Sequence, residues 1–77
     1  MNQKQLQEIK GMFGIKSFIS INIEVKDLRD NSSYVLSVIQ EGQQLTYKVV
    51  DGDEESYWNT WLSPNDVERW FKYNNLL

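Results

Sequence analysis

The 77-residue sequence contains no cysteine and no histidine. Without cysteine there is no disulfide, no thiol nucleophile and no thiolate metal site. Without histidine the chain lacks the commonest general base, the usual zinc ligand and the usual pH switch. The remaining acid–base groups are carboxylates, lysines, arginines and tyrosines, in no recognisable catalytic pattern. We therefore predict a protein that is not an enzyme and that binds no cofactor or metal.

The sequence also lacks repeats, low-complexity tracts, linkers and long apolar runs. At this length folding buries about 60% of the surface of the unfolded chain, which suits one small domain. Met1 is followed by a polar run, unlike a secretory signal. No apolar run approaches the roughly 18–20 residues of a membrane span. We predict a single domain over residues 1–77, located in the cytoplasm and without a membrane partner.

Basic charge is scarce, since eight lysines and arginines stand against eleven acidic residues and give a net charge of −3. The imbalance lies in the second part of the chain. Residues 1–29 hold five basic and three acidic groups, and residues 30–77 hold three basic and eight acidic groups. Domains that grip nucleic acid through phosphates usually lean strongly basic. The charge therefore argues against direct nucleic-acid binding.

The first 29 residues predict a helix followed by a strand. Leu6, Ile9 and Phe13 share one helical stripe, with Asn2 and Gln5 spaced as a capping box and with Gly14 as the stop. The period changes over residues 16–29, where four β-branched residues alternate with polar ones, as in a half-buried strand. The turn residues at positions 29–32 then end this strand.

Two further strands, residues 34–40 and 45–50, are predicted to form a hairpin turning at Glu41-Gly42. This turn places Val38 opposite Leu45, and the preceding turn places Val25 opposite Leu36, so both hairpins share one hydrophobic face. Residues 57–62 are predicted as a fourth strand. Its parity assigns Trp58, Thr60 and Leu62 to the buried face and Tyr57, Asn59 and Trp61 to the opposite face.

The C-terminal segment predicts a second helix. Ser63 is a suitable N-cap, Pro64 a suitable first residue, and Val67, Trp70 and Phe71 an apolar stripe. The predicted fold is therefore α+β: an N-terminal helix, a four-stranded antiparallel β-meander and a C-terminal helix, with little chain beyond. The predicted core comprises Ile21, Ile23, Leu36, Val38, Tyr47, Trp58, Trp70 and Phe71.

The densest charge lies at Asp51, Asp53, Glu54 and Glu55. The alternation and closing glutamate of a calcium-binding loop are missing. Two interpretations remain, an ordinary solvated hairpin turn and an acidic patch that docks on a basic partner. The aromatic residues Tyr57 and Trp61 follow closely and are favoured anchor types at interfaces. We predict a partner-binding site formed by these six residues.

The second sheet face is unusually apolar by parity. It carries Phe18, Val35, Ile39, Val50, Tyr57 and Trp61 among Lys16, Lys26 and Lys48. Either a helix covers this face or the face binds something. Aromatics among lysines can stack bases and hold phosphates, which supports an alternative function as a small nucleic-acid-binding module.

Three functions therefore stand open. The first is a small non-catalytic protein that inhibits or regulates a larger protein partner. The size, acidity and AT-rich codon composition resemble those of small phage- or plasmid-encoded inhibitors of host enzymes. That resemblance implies a host enzyme as target. If this enzyme acts on nucleic acid, as a defence nuclease does, the acidic loop would occupy its phosphate-binding surface, in the manner of an anti-CRISPR protein. The alternatives are the nucleic-acid module and an accessory subunit of a larger assembly.

Overall fold

The computed structural model describes residues 2–15 and 18–77. In chain order the elements are α1 (Asn2–Met12), β1 (Ser20–Lys26), β2 (Ser33–Glu41), β3 (Gln44–Asp51), β4 (Glu54–Glu55), β5 (Asn59–Trp61) and α2 (Pro64–Tyr73). This confirms the α+β prediction and adds a fifth, short strand to the antiparallel sheet. The predicted position of Lys16 on the second sheet face lies outside the described residues.

Both helices pack on the same face of the sheet, and the core lies between the two layers. The fully or nearly fully buried apolar residues are Leu6, Ile9, Met12, Val25, Leu36, Val38, Leu45, Trp61, Val67, Phe71 and Leu76. Of the predicted core, Leu36, Val38 and Phe71 are buried, and Ile21, Ile23, Tyr47 and Trp70 pack against it half-buried. Trp58 was placed wrongly, because 45% of it is exposed.

The register of both long hairpins differs from the prediction by two residues. Val38 lies opposite Tyr47 rather than Leu45, because the turn consists of Gly42 and Gln43. Val25 likewise lies opposite Tyr34 rather than Leu36. Since side chains alternate with a period of two, a shift of two residues leaves each side chain on its predicted face. The buried face of β1, β2 and β3 is therefore the predicted one.

A β-bulge separates β4 from β5, and it reverses the predicted faces of the last strand. Both strands pair with β3, through Val50↔Glu55 and Tyr47↔Asn59. Three steps along β3 thus match four steps along its neighbour, so one residue is extra. A shift of one residue moves every later side chain to the other face. Trp61 accordingly faces the core with only 3% of it exposed, and its predicted outward position was wrong.

The predicted capping box of α1 was wrong as well. The Asn2 amide donates to the carbonyl oxygens of Lys26 (2.5 Å) and Leu76 (2.8 Å) and accepts from the Lys26 N–H (3.2 Å). The Gln5 amide donates to the Glu24 carbonyl at 2.5 Å, and its own oxygen is buried without a partner among the described residues. Both side chains therefore tie α1 to the outer edge of β1.

The second helix begins as predicted and is followed by an ordered tail. The Ser63 hydroxyl accepts a bond from the Asp66 N–H, and Pro64 is the first helical residue. Beyond the helix, Asn75 adopts a left-handed φ of 60°, and the Leu76 N–H donates to the Phe71 carbonyl at 2.9 Å, as in a Schellman motif. This reversal returns Leu76 to the core with no exposed surface, although Leu76 was not among the predicted core residues.

Neither helix in the described part of the chain has the length and apolar content needed to cross a membrane.

Candidate functional site

The most exposed continuous stretch of the structure follows β3. Every residue from 51 to 60 is exposed, and we call this stretch the acidic-aromatic edge. It lies at the border of the sheet formed by β4 and β5, opposite the border formed by β1. The predicted site residues Asp51, Asp53, Glu54, Glu55 and Tyr57 all belong to it.

A tight hairpin presents the four carboxylates. Asp51 pairs with Glu54, and Gly52 and Asp53 form the two-residue turn between them. Gly52 has a φ of 62°, a left-handed conformation that glycine adopts without steric cost, and this explains the glycine at the first position of the turn. The four acids are thereby carried on ordered strand ends and one turn residue.

The bulge that follows is held at both of its ends. Ser56 donates its N–H to the Val49 carbonyl at 2.8 Å, and its hydroxyl accepts from the Val49 N–H at 2.7 Å. At the other end the Asn59 amide donates to the Tyr57 carbonyl at 3.1 Å. These bonds fix the backbone on each side of the two aromatic residues, Tyr57 and Trp58, that the bulge displays.

The two aromatics differ in how they are held. Tyr57 is 93% exposed, so nearly its whole ring faces solvent. Trp58 is 45% exposed, and the Lys48 ammonium lies 5.0 Å from its ring centroid, within the range of a cation–π interaction. Lys48 also forms a 3.0 Å salt bridge with Glu55. Lys48 therefore holds one carboxylate and one indole of the edge in place.

Trp61 does not belong to this surface, although it was predicted as an anchor. Its ring stacks on Tyr47 with centroids 3.8 Å apart, and it meets Trp70 edge-on at 5.5 Å. The exposed indole near the acidic hairpin is Trp58 instead. The sequence analysis missed Trp58 because parity, continued without interruption into the fourth strand, assigns Trp58, Thr60 and Leu62 to the buried face. A bulge leaves no mark in that pattern.

The carboxylates of the edge are separated from one another, and all but Glu55 carry charge that no described residue compensates. Within residues 2–15 and 18–77 no three carboxylates converge in a way that could hold a metal ion. Asp51, Asp53 and Glu54 form no salt bridge with any described residue, so their charges face solvent uncompensated. The result is a negative strip beside two exposed rings.

The second sheet face is left open by both helices in the described part of the chain. Across it, Val35 and Val50 form a half-buried apolar pair between Glu24 and Glu55. Lys48 is already engaged on this face by Glu55 and Trp58. In residues 18–77 the face thus shows a small apolar patch flanked by acids, and one of its two described lysines, Lys48, is engaged.

Comparison of the chain with protein-family models, with curated proteins and with solved structures found no match.

Proposed function

We propose that this chain is a small non-catalytic binding protein that inhibits or regulates a larger protein by docking the acidic-aromatic edge on a basic surface. The observation that supports it is the exposure of ten consecutive residues, 51–60, which combine four carboxylates with Tyr57 and Trp58 on a fixed backbone. Tyr57 is almost fully exposed and Trp58 is half-exposed.

The combination of residue types favours a protein partner. Tyrosine and tryptophan are enriched among the residues that dominate binding energy, because they bury a large area at a small cost in side-chain entropy. Carboxylates around such anchors steer a basic partner and fix its orientation. A fixed backbone lowers the ordering cost further. Tyr57 and Trp58 would be desolvated at the centre, with Asp53 and Glu54 at the rim.

The basic surface of the partner is proposed to be one that binds phosphates. A negatively charged edge on such a surface would compete with nucleic acid for the same cations, which is a simple route to inhibition. An inhibitor of a host nucleic-acid enzyme or defence nuclease, encoded by a phage or mobile element, is the specific form of this proposal. Its further support is the resemblance in size, acidity and amino-acid composition to small phage- or plasmid-encoded inhibitors.

Site-specific photo-crosslinking tests the location of the docking surface. A photoreactive phenylalanine analogue would replace Tyr57 in one variant and Tyr73 in a matched control. Both tyrosines are largely exposed, at 93% and 85%. They lie far apart in the fold. Tyr73 is the last residue of α2, and the tail that follows is bonded near the β1 border, where the Asn75 carbonyl accepts the Leu28 N–H. Tyr57 lies at the opposite border of the sheet.

In cells of the source organism, the variant at Tyr57 should give a discrete covalent adduct with one protein, and the variant at Tyr73 should not. Adducts at Tyr73 alone, or the same adducts from both positions, would reject the acidic-aromatic edge as the docking surface.

A further inference from the structure

The two borders of the sheet are built differently. The border at β4 and β5 consists of strands of two and three residues, interrupted by a bulge and lined with acids. Short strands, bulges and charges are the usual protections against pairing with another strand. The other border is β1, an unbroken strand of seven residues, Ser20–Lys26. It has none of these protections over its first half.

The hydrogen bonds around β1 show which backbone groups point outward. The Gln40 N–H donates to the Ile19 carbonyl at 2.9 Å, and the Asp27 N–H donates to the Ser32 carbonyl at 2.8 Å. Odd-numbered residues of β1 therefore bond to β2, and even-numbered residues direct their N–H and C=O groups to the free border. Asn2 covers Lys26, and Gln5 covers the Glu24 carbonyl.

The described hydrogen bonds from α1 to β1 end at Glu24, and none goes to Ser20 or Asn22. Among the described residues their outward N–H and C=O groups have no partner. The segment around them, residues 19–23, reads Ile-Ser-Ile-Asn-Ile and carries no charge. On its core side Ile19, Ile21 and Ile23 remain half-buried, packed against the core from the rim. In the described part of the chain, the open half of β1 thus presents unpaired backbone N–H and C=O groups along its border and a line of isoleucine side chains beside them.

We propose that this half of β1 pairs with the same segment of a second copy of the chain, antiparallel and centred on Ile21. In this register Ser20 of each copy lies opposite Asn22 of the other, and the two pairs exchange four backbone hydrogen bonds. Ile21 meets its own symmetry mate, and Ile19 meets Ile23 of the second copy. The two sheets join into one continuous sheet about a two-fold axis.

The occupant is a second copy because the segment is self-complementary. With a two-fold axis through Ile21, isoleucines lie opposite isoleucines on one face of the joined sheet, and serines lie opposite asparagines on the other. No charges of like sign therefore meet. The ladder also has a natural end. Gln5 already occupies the Glu24 carbonyl, which limits the pairing to the uncovered half of β1.

This inference is independent of the proposed function, because the two surfaces lie at opposite borders of the sheet. The dimer leaves both acidic-aromatic edges free at its two far ends. A short ladder with a narrow apolar row buries little area, so we expect association in the micromolar range rather than an obligate dimer.

The proposed dimer can be tested by placing charged residues at positions 20 and 22, which lie opposite each other across the two copies. Ser20 and Asn22 are both exposed on the second sheet face, so charged residues at these positions are compatible with the fold. Sedimentation equilibrium over a concentration series would compare the wild type with two double variants. In Ser20→Glu with Asn22→Glu, two like-charged pairs meet across the axis. In Ser20→Glu with Asn22→Lys, the same positions form two opposite-charged pairs.

The wild-type mass should rise from 9.1 kDa towards twice that value with concentration. The doubly acidic variant should dissociate with a Kd about tenfold higher or more, and the Glu/Lys variant should dimerise like the wild type. A wild type that stays at 9.1 kDa throughout would overturn the proposal. Equal dimerisation of the two double variants would overturn it too.

A second pair of variants tests the backbone directly. Asn22→Pro removes an outward N–H without breaking the ladder to β2, because proline is tolerated at such edge positions. Asn22→Ala is its control, since both variants lose the 2.6 Å bond that Asn22 accepts from the Ser37 hydroxyl. The proline variant should be monomeric and the alanine variant dimeric. Dimerisation of both would contradict the proposed pairing.

Discussion

Tyr47 and Trp61 stack face to face in the core, with ring centroids 3.8 Å apart and planes inclined by only 9°. The stack depends on the bulge after β4, which turns Trp61 inward and Trp58 outward. Trp70 from α2 closes on both rings edge-on, at 5.3 and 5.5 Å. One extra residue in an edge strand therefore decides which tryptophan builds the core and which faces solvent.

Replacing the two tryptophans should have opposite consequences. Trp61→Ala should lower the free energy of unfolding by about 3–5 kcal/mol, because it leaves a cavity beside Tyr47 and Trp70. Trp58→Ala should lower it by about 1 kcal/mol or less, since it removes only a half-exposed ring over Lys48. Urea unfolding followed by circular dichroism would measure both. If Trp58→Ala were the more destabilising change, the assignment of faces in β5 would be incorrect.

The last two residues of the chain should also differ sharply. Leu76→Ala should cost about 2–5 kcal/mol, because Leu76 is fully buried at the end of the Schellman motif. Leu77→Ala should change stability by only about 0.5 kcal/mol, since Leu77 is partly exposed beside it. The same unfolding measurement applies. Similar losses for both variants would mean that the tail does not return Leu76 to the core.

Acid should weaken the contact between the two helices. The Lys10 ammonium, 2.9 Å from a Glu68 oxygen, lowers the pKa of that carboxyl through a hydrogen bond and charge attraction. A carboxyl whose pKa is lower in the folded state stabilises the fold at any pH above its unfolded-state pKa of about 4.3. This stabilisation is lost as the pH falls through the folded-state pKa. Glu68→Gln should be less stable than the wild type at neutral pH.

The measurement is the midpoint of thermal unfolding between pH 6 and pH 3, chosen to bracket the carboxyl titration at about 4. Glu68→Gln should lose less stability over this interval than the wild type does, and Lys10→Met should behave in the same way. Parallel curves for the three proteins would show that the Lys10–Glu68 bridge does not contribute.

The alternation of apolar and polar residues predicted the sheet faces correctly wherever the error in strand register was two residues. The hairpin turns were misplaced, yet a shift of two residues kept Leu36 and Val38 on the buried face. The same reasoning failed at Trp58 and Trp61 because a bulge shifts the strand by one. Leu76 was missed for a different reason. A left-handed Asn75 reverses the chain direction, and no hydrophobic period continues through such a reversal.

The candidate site was predictable in part. Turn chemistry indicated an exposed acidic hairpin, and residues 51–55 are exposed in the structure. Which tryptophan lies exposed beside that hairpin could be determined only from the register in which β4 and β5 pair with β3. The open half of β1 required knowledge of where the Asn2 and Gln5 side chains lie. The spacing of these two residues suggested a capping box, which is a local interaction. In the structure their side chains instead form hydrogen bonds with backbone groups that are distant in the sequence.

The carboxylates of the acidic-aromatic edge are proposed to steer a basic partner. The partner identified by crosslinking at Tyr57 allows a direct test with Asp53→Lys combined with Glu54→Lys. Both residues are exposed and form no described salt bridge, and Glu55 stays in place to hold Lys48. The control combines Glu8→Lys with Glu41→Lys, which makes the same change in net charge at exposed positions elsewhere.

The decisive measurement is the association rate constant of each variant with that partner as a function of ionic strength. At low salt the variant at Asp53 and Glu54 should associate about tenfold more slowly than the wild type, with a weaker salt dependence. The control should show a much smaller change in both. Equal rates and equal salt dependence for the wild type and the variant at Asp53 and Glu54 would contradict the account.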